Sequence, residues 1–357
     1  SPLTTYTITA TNTGGSDSVT ISLEVNDVAP TSITYANTPY TLTNNTAMQA
    51  DTPTTTGGPV VSWTITPTLP AGLLFDTATG EISGTPTVVN ATTTYTVTAT
   101  NTGGSDTTTI DITVNDIEPS SLTYNPNVFV LTVGTQMPSH SLTASGGPIT
   151  GWSVSSGIPS GISFDFTTGE FSGTPTAVTS QIDITVTATN TGGSTTAIVT
   201  FTVNDVAPSD IVYSGDPFAF TKDSPVSITP PINNGGAITG WSVSPSLPAG
   251  LVLDASTGEI TGTPTDITPS ATYTVTGINS GGSTTVDITI EVNDEIPSQL
   301  TYSTNSFVEE VGSAMTAVTP TVSGGAVTDW EIHPTLPAGL SFDTSNGEIS
   351  GTPSAVS

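Results

Sequence analysis

The chain is predicted to be all-β, a tandem array of β-sandwiches with an 89-residue repeat, stacked as an end-to-end rod. Three observations carry this. Trp63, Trp152, Trp241 and Trp330 each follow the last by 89 residues, as do the four Gly-Thr-Pro triplets that begin at Gly84, Gly173, Gly262 and Gly351. The Asn-Asp pairs at Asn26-Asp27, Asn115-Asp116, Asn204-Asp205 and Asn293-Asp294 keep the same step, as do Pro30, Pro119, Pro208 and Pro297. Within a repeat, short alternating runs are divided by Gly, Pro and Asn turns, and no stretch rich in Leu, Ala, Glu and Lys favours a helix. The repeats run without an insertion between these landmarks, so loop lengths are fixed, as expected where every copy meets its neighbours in the same way.

The second full unit shows the elements in order. Residues 121–124 and 129–133 read as an opening strand interrupted by Pro126. Strands follow at 141–144, at 149–155 with Trp152 inside, at 162–165, at 170–173, at 182–190 and at 195–203. About seven strands in one repeat is the count of an immunoglobulin-like sandwich. In Ile182-Asp183-Ile184-Thr185-Val186-Thr187-Ala188-Thr189 every second side chain is apolar, so one face is buried and the other carries Thr and Asp. Thr191-Gly192-Gly193 after Asn190 closes a hairpin, because Asn and Gly tolerate the positive φ of tight β-turns. The abundance of Thr would also suit a glycosylated stalk, but such a stalk needs neither alternation nor tryptophan at a constant step. The organisation is therefore the last two strands of a domain at 1–26, full domains at 29–116, 118–205 and 207–294, and the first five strands of a domain at 296–357.

Charge narrows the function. The chain carries 30 acidic residues against one basic residue, Lys222, for a net charge of -29, yet only 9% of it is charged. It is depleted of bases rather than loaded with acids, and without Lys or Arg nothing neutralises phosphates, which argues against nucleic acid and anionic lipid as partners. No apolar run reaches the roughly 18 residues of a membrane-spanning helix, so the chain is not expected to be membrane-embedded. Cysteine is absent, so stability must come from sandwich cores and junctions. A single lysine leaves trypsin-like proteases one cut, which suits an extracellular or cell-surface location.

At Leu69-Pro70-Ala71-Gly72-Leu73, repeated from Leu247 and Leu336, and at the run Phe75 to Pro86 that follows, the chain resembles the immunoglobulin-like repeats of large bacterial and archaeal surface proteins. Through Phe75-Asp76 and Thr79-Gly80, through Tyr95 to Gly104 and through Val114-Asn115-Asp116 it is also similar to cadherin-like repeats. The resemblance covers the whole chain and implies a sandwich fold, used as a spacer, an adhesin stalk or an accessory part of a secreted enzyme. The cadherin-like resemblance also implies junction calcium at Asp27, Asp116, Asp205 and Asp294. Against it, calcium takes six to eight oxygens. The family's other ligand positions are changed here, to Ser83-Gly84-Thr85-Pro86 and to Ala99-Thr100-Asn101, so no cofactor is required and the aspartates also read as strand-ending turn residues.

The remaining candidates read as structural. Asp76, Asp165, Asp254 and Asp343 stand five residues before Glu81, Glu170, Glu259 and Glu348, a spacing that could be mistaken for a glycosidase pair. Thr-Gly between them marks a hairpin, and no base stands nearby to tune them. His140 and His333 do not repeat, and three repeats have no lysine for a crosslink like that of Lys222 with an Asn. The sequons at Asn44 and Asn90 are expected by chance in a Thr-rich chain. The four tryptophans sit mid-strand and are expected in the cores rather than on a sugar-binding surface. No catalytic residue is assigned, and the chain is expected not to be an enzyme.

Joining Ser357 to Ser1 would reproduce the run from Gly84 to Thr98 with one extra residue. Two readings make a filament of this: one period of a longer tandem polypeptide, or separate copies that meet end to end by strand complementation through 1–26 and 297–357. An arbitrary boundary is the third. With strands of eight to ten residues each repeat would advance about 40 Å. The expected function is a structural, non-enzymatic building block of an extracellular filament or surface fibre. The alternatives are the stalk of a large cell-surface adhesin and an accessory spacer of a secreted carbohydrate-active enzyme.

Overall fold

The structure, a computed structural model, describes residues 3–356. Ser1 and Pro2 of the 1–26 segment and Ser357 of the 296–357 segment lie outside the described residues. The chain divides near residues 203 and 204 into two compact units. The first holds a lone hairpin and two full repeats, and the second holds a third full repeat and an incomplete one.

The lone hairpin pairs β1 (Thr4–Asn12) with β2 (Gly15–Leu23) in antiparallel register. The first full repeat then runs β3 (Thr31–Thr34), β4 (Tyr40–Thr43), β5 (Thr54–Thr56), β6 (Ser62–Thr66), β7 (Leu73–Phe75), β8 (Ile82–Gly84), β9 (Asn90–Asn101) and β10 (Gly104–Asn115). Its main sheet has the order β4-β10-β9-β6, with β4 parallel to β10 and the other pairs antiparallel. The pairs β3–β5 and β7–β8 make up the facing layer, joined by a bridge between Asp51 and Ile82.

β9 and β10 are 12-residue strands because Thr, Val, Ile and Tyr, which suit a pleated surface, fill them without a proline. Alternation sends Tyr95, Val97 and Ala99 of one and Ile110, Ile112 and Val114 of the other inward, where each is at most 2% exposed. Trp63, Tyr40, Leu73 and Ile82 close over them from the other strands. The register slips by a bulge between Ile112 and Val114, next to the segment that β4 joins in parallel.

The next two repeats keep the main sheet of this plan, while the facing layer of the third full repeat is a three-stranded sheet of Val226–Ile228, Ile260–Gly262 and Leu251–Leu253 beside a bridge between Val212 and Ile232. Their main sheets follow the order Val128–Thr132, Gly193–Asn204, Thr179–Asn190, Gly151–Val154, and the order Phe218–Thr221, Gly282–Asn293, Thr268–Asn279, Gly240–Ser244. Every strand expected between residues 118 and 205 is present, and the expected alternation buries Ile184, Val186 and Ala188 completely. Asp116 to Pro119 separate the strand ending at Asn115 from the one beginning at Ser120.

The incomplete repeat differs. Five strands are expected there, and among the described residues four form: Ser298–Thr301, Thr321–Ser323, Leu340–Phe342 and Ile349–Gly351. The counterparts of β4 and β6, around Phe307 and Trp330, are not strands. In the full repeats those two edges pair in the sheet only with the long hairpin, and among the described residues of the incomplete repeat there is no such hairpin.

Candidate functional site

The acids expected at the junctions are held by the repeat that follows them. Asp27 donates its amide to Thr102 Oγ1 at 3.0 Å, and Thr102 donates its hydroxyl back to Asp27 Oδ2 at 3.0 Å. Thr102 lies in the two-residue turn between β9 and β10. The residue before it, Asn101, is buried and donates Nδ2 to the carbonyls of Val28 at 2.7 Å and Pro59 at 3.2 Å, while its Oδ1 receives the Gly103 amide at 2.8 Å. Position 103 must be glycine because a Cβ there would strike the Asp27 carbonyl oxygen.

The latch recurs. Asp116 donates its amide to Thr191 Oγ1 at 2.8 Å, and Asn190 reaches Ile117 O at 2.8 Å. Asp205 donates to Ser280 Oγ at 2.9 Å, and Asn279 reaches Val206 O at 2.7 Å. The fourth aspartate, Asp294, receives the Glu295 amide on Oδ1 at 2.9 Å. These side chains make a hydrogen-bonded strap between a linker and a turn. Among the described residues no three His, Asp or Glu side chains converge to hold a metal ion, and the one or two carboxylates at each junction, with Glu118 and Glu295 at non-equivalent positions, fall short of the six to eight oxygens of a calcium shell.

A second device locks each tryptophan. Gly80, Gly169, Gly258 and Gly347 have φ between 73° and 78°, and a Cβ on any of them would lie within 2.7 Å of the indole of Trp63, Trp152, Trp241 or Trp330. The carbonyls of these glycines accept the hydroxyls of Tyr35, Tyr124, Tyr213 and Tyr302 at 2.5 to 2.6 Å. Burial raises the pKa of all four phenols, and the charges of Asp51 and Glu170 add to this at Tyr35 and Tyr124. Sequence reasoning missed these tyrosines, and it named Asn101 and Asn190 without their part in the latch, although both sets keep the 89-residue step.

The tryptophan expectation needs correcting at two positions. Trp63 and Trp241 are 4% and 9% exposed, but Trp152 and Trp330 are only half-buried. Pro53 and Pro231 flank the glycine that Trp63 and Trp241 cover, whereas the matching residue beside Trp152 is Leu142. The core there is built from phenylalanines, with Phe129 and Phe171 each 5.1 Å from Phe201. Trp330 lacks the strand that pairs across from Trp63.

The carboxylate pairs are turn supports. Asp76 accepts the amides of Ala78 at 2.7 Å and Thr79 at 3.3 Å, bonds that hold its pKa below the usual range. Asp165, Asp254 and Asp343 are lowered in the same sense, chiefly by the hydroxyls of Thr167, Ser256 and Ser345. Glu81 and Glu259 accept hydroxyls from Thr52 and Ser227. His140 packs 5.7 Å from the rings of Tyr124 and Phe129 and accepts the Phe171 amide on Nε2 at 3.4 Å. Burial lowers its pKa, with the Glu170 charge opposing. His333 lies 3.7 Å from Glu331, and Lys222 lies 3.9 Å from Asp223. Asn90 Nδ2 is bonded to Ala91 O and Thr93 Oγ1, and the Asn44 Oδ1 atom is buried without a hydrogen bond.

The chain is similar to known proteins. The chain is 35% identical over 140 residues to the "Serine-rich adhesin for platelets" of Staphylococcus aureus, across 38% of this chain and 6% of that protein. The same-named protein of strain MRSA252 is 34% identical over 140 residues, across 38% and 10%. The chain thus spans a small part of the length of these curated relatives. Among solved structures, titin fragment I67–I69 gives a TM-score of 0.34 at 15% identity, covering 75% of this chain and 98% of that one. The protocadherin GammaB4 extracellular domain gives 0.28 at 15%, covering 99% and 67%. The family described as "Putative Ig domain" matches residues 24–115, 119–204, 205–293 and 296–357, which is most of the chain, and the protein belongs to that family.

Proposed function

We propose that this chain is a structural, non-catalytic segment of an extracellular fibre, in which tandem immunoglobulin-like domains set a distance and bear load. The observation that carries the reading is the junction latch. Three times the same backbone amide, asparagine and hydroxyl tie a linker of a few residues to the turn of the domain that follows. Short linkers pinned on one side leave little freedom for a hinge. The titratable side chains singled out by sequence are occupied in turns and cores, which suits a load-bearing part better than a reactive one.

The stalk of a surface adhesin is the second reading, favoured by the 140-residue likeness to the staphylococcal protein. Pulling single molecules by their termini tests the shared part. The expected trace has three unfolding events of equal extension, each releasing about 300 Å of chain at roughly 3.5 Å per residue. Unfolding at negligible force would sink the reading. Antibodies against the chain should label intact cells of its source, and labelling confined to permeabilised cells would remove the surface placement.

A further inference from the structure

His140 stands where the other repeats use backbone. In the first full repeat Asp51 and Ile82 exchange amide-to-carbonyl bonds at 3.0 Å, and in the incomplete repeat Val318 and Ile349 exchange them at 2.9 and 3.0 Å. In the third full repeat Val226–Ile228 pairs with Ile260–Gly262. Each link ties the segment before the tryptophan to the short hairpin after it. The corresponding residues of the second full repeat are His140 and Phe171, and among the described residues no backbone bridge joins them. The Phe171 amide donates instead to His140 Nε2 at 3.4 Å, and the neighbouring tie is the Met137 amide, bonded to the Gly173 carbonyl at 2.9 Å.

An imidazole that accepts an amide on Nε2 carries its proton on Nδ1 and is neutral. An imidazolium has donors at both nitrogens and no lone pair, so protonation sets Nε2–H against the Phe171 N–H. It also puts a charge on a half-buried ring whose floor is apolar, because Tyr124, Phe129 and Phe171 are at most 5% exposed. The surroundings offer the charge one counterweight. Ser120–Asn125 brings the Tyr124 phenol, which is occupied with the Gly169 carbonyl, and Val128–Thr132 brings Phe129. The hairpin of Phe171 brings Glu170, and the segment of His140 itself has no charged residue between Gly134 and Ser145.

We propose that His140 is an acid-sensitive clasp, and that its protonation loosens the facing layer of the second full repeat while the other repeats stay closed. Burial lowers the imidazole pKa, and the Glu170 charge opposes this without cancelling it. With the folded value below the unfolded one near 6.5, stability that depends on the neutral ring is intact above that pH and falls as pH drops below it. Composition keeps the window clear. Ordinary carboxylates, phenols and amines titrate outside about pH 5.5 to 8, the chain has no cysteine, and its second histidine, His333, has a side chain 83% exposed. Under load, in a fibre or a stalk alike, the second repeat becomes the first to yield in acid.

The experiment measures amide hydrogen exchange of the 357-residue chain by mass spectrometry at about pH 7.5 and about pH 5.5, corrected for the intrinsic pH dependence of exchange. Peptides containing Phe171 should lose protection in acid, by up to about tenfold for each unit by which folding lowers the imidazole pKa, while those containing Ile82 and Ile260 keep theirs. Unchanged protection around Phe171 overturns the proposal, and so does a gain in acid, which would mean that Glu170 holds the imidazolium in place. His140→Gln keeps a neutral acceptor and should abolish the pH dependence; a dependence that survives it overturns the role of the ring. Should that variant not fold, the two imidazoles of the unaltered chain can be titrated by nuclear magnetic resonance and assigned with the exposed His333→Gln. His140 should titrate below 6.5, and a value at or above it overturns the clasp.

Discussion

The full repeat at 29–116 and the incomplete one at 296–356 share their landmarks but not their secondary structure. Tyr40–Thr43 and Ser62–Thr66 are strands in the first, while the matching residues around Phe307 and Trp330 are not in the second. Tyr40 is 4% exposed and Phe307 38%. Yet the counterparts of β3–β5 and β7–β8 pair normally, and Tyr302 still donates to the Gly347 carbonyl. One layer therefore assembles from its own short strands, and the other exists only around the long β9–β10 hairpin.

That comparison breaks most sharply at the hairpin. Ile110→Asp puts an unpaired charge where the side chain is 2% exposed, and should cost more than about 4 kcal/mol, enough to remove the cooperative transition of that repeat in calorimetry. Its counterpart Ile21→Asp, on an exposed strand, should stay within about 0.5 kcal/mol. Gly80→Ala comes next. The new Cβ would lie 2.7 Å from Trp63 at a φ of 76°, and a loss of about 1–3 kcal/mol is expected in denaturant melts. Gly347→Ala should lose less, because half-buried Trp330 has room to move.

Alkaline pH should separate the full repeats by their number of buried phenols. Burial raises the folded-state pKa of Tyr35 and Tyr40 in the first full repeat, and the latter also donates to Asp51 Oδ2 at 2.7 Å. Stability that depends on neutral phenols is intact below their unfolded value near 10 and falls as pH rises beyond it. Melting between about pH 9 and 11 should therefore weaken this repeat more than the two with one such phenol each, Tyr124 and Tyr213. Equal losses would separate the phenols from the effect. Tyr35→Phe leaves the Gly80 carbonyl without its buried donor and should cost about 1–2 kcal/mol, against less for Tyr302→Phe, whose site is partly open to water. The smallest effect is expected from chelation. Removal of calcium should leave the melting midpoint unchanged, and a fall would identify the junction aspartates as ligands.

Much of this was legible in the residues. The constant step through Trp63, Gly84, Asn115 and Pro119 announces a repeat, and period-two alternation in residues 182–189 names the buried face before any coordinates exist. The turn role of Asp76 was readable too, because Asp before Thr-Gly caps backbone amides locally. Less legible was the latch, since Asp27 and Thr102 lie 75 residues apart and nothing local to either names the other. The half-buried state of Trp152 was hidden for the same reason, because what covers its ring, such as Phe164 at 6.4 Å, comes from another strand.

By itself the sequence determined the period, the strands that pair with near neighbours, the turns and the inward face, because each depends on alternation and on Gly, Asn and Pro within a few residues. Tertiary structure alone decided whether β4 and β6 exist as strands, what the junction aspartates hold and which tryptophans are covered. The first of those outcomes depends on β9 and β10, whose backbone amides and carbonyls must be present in space before an edge can pair with them, and the others on contacts between residues far apart in sequence.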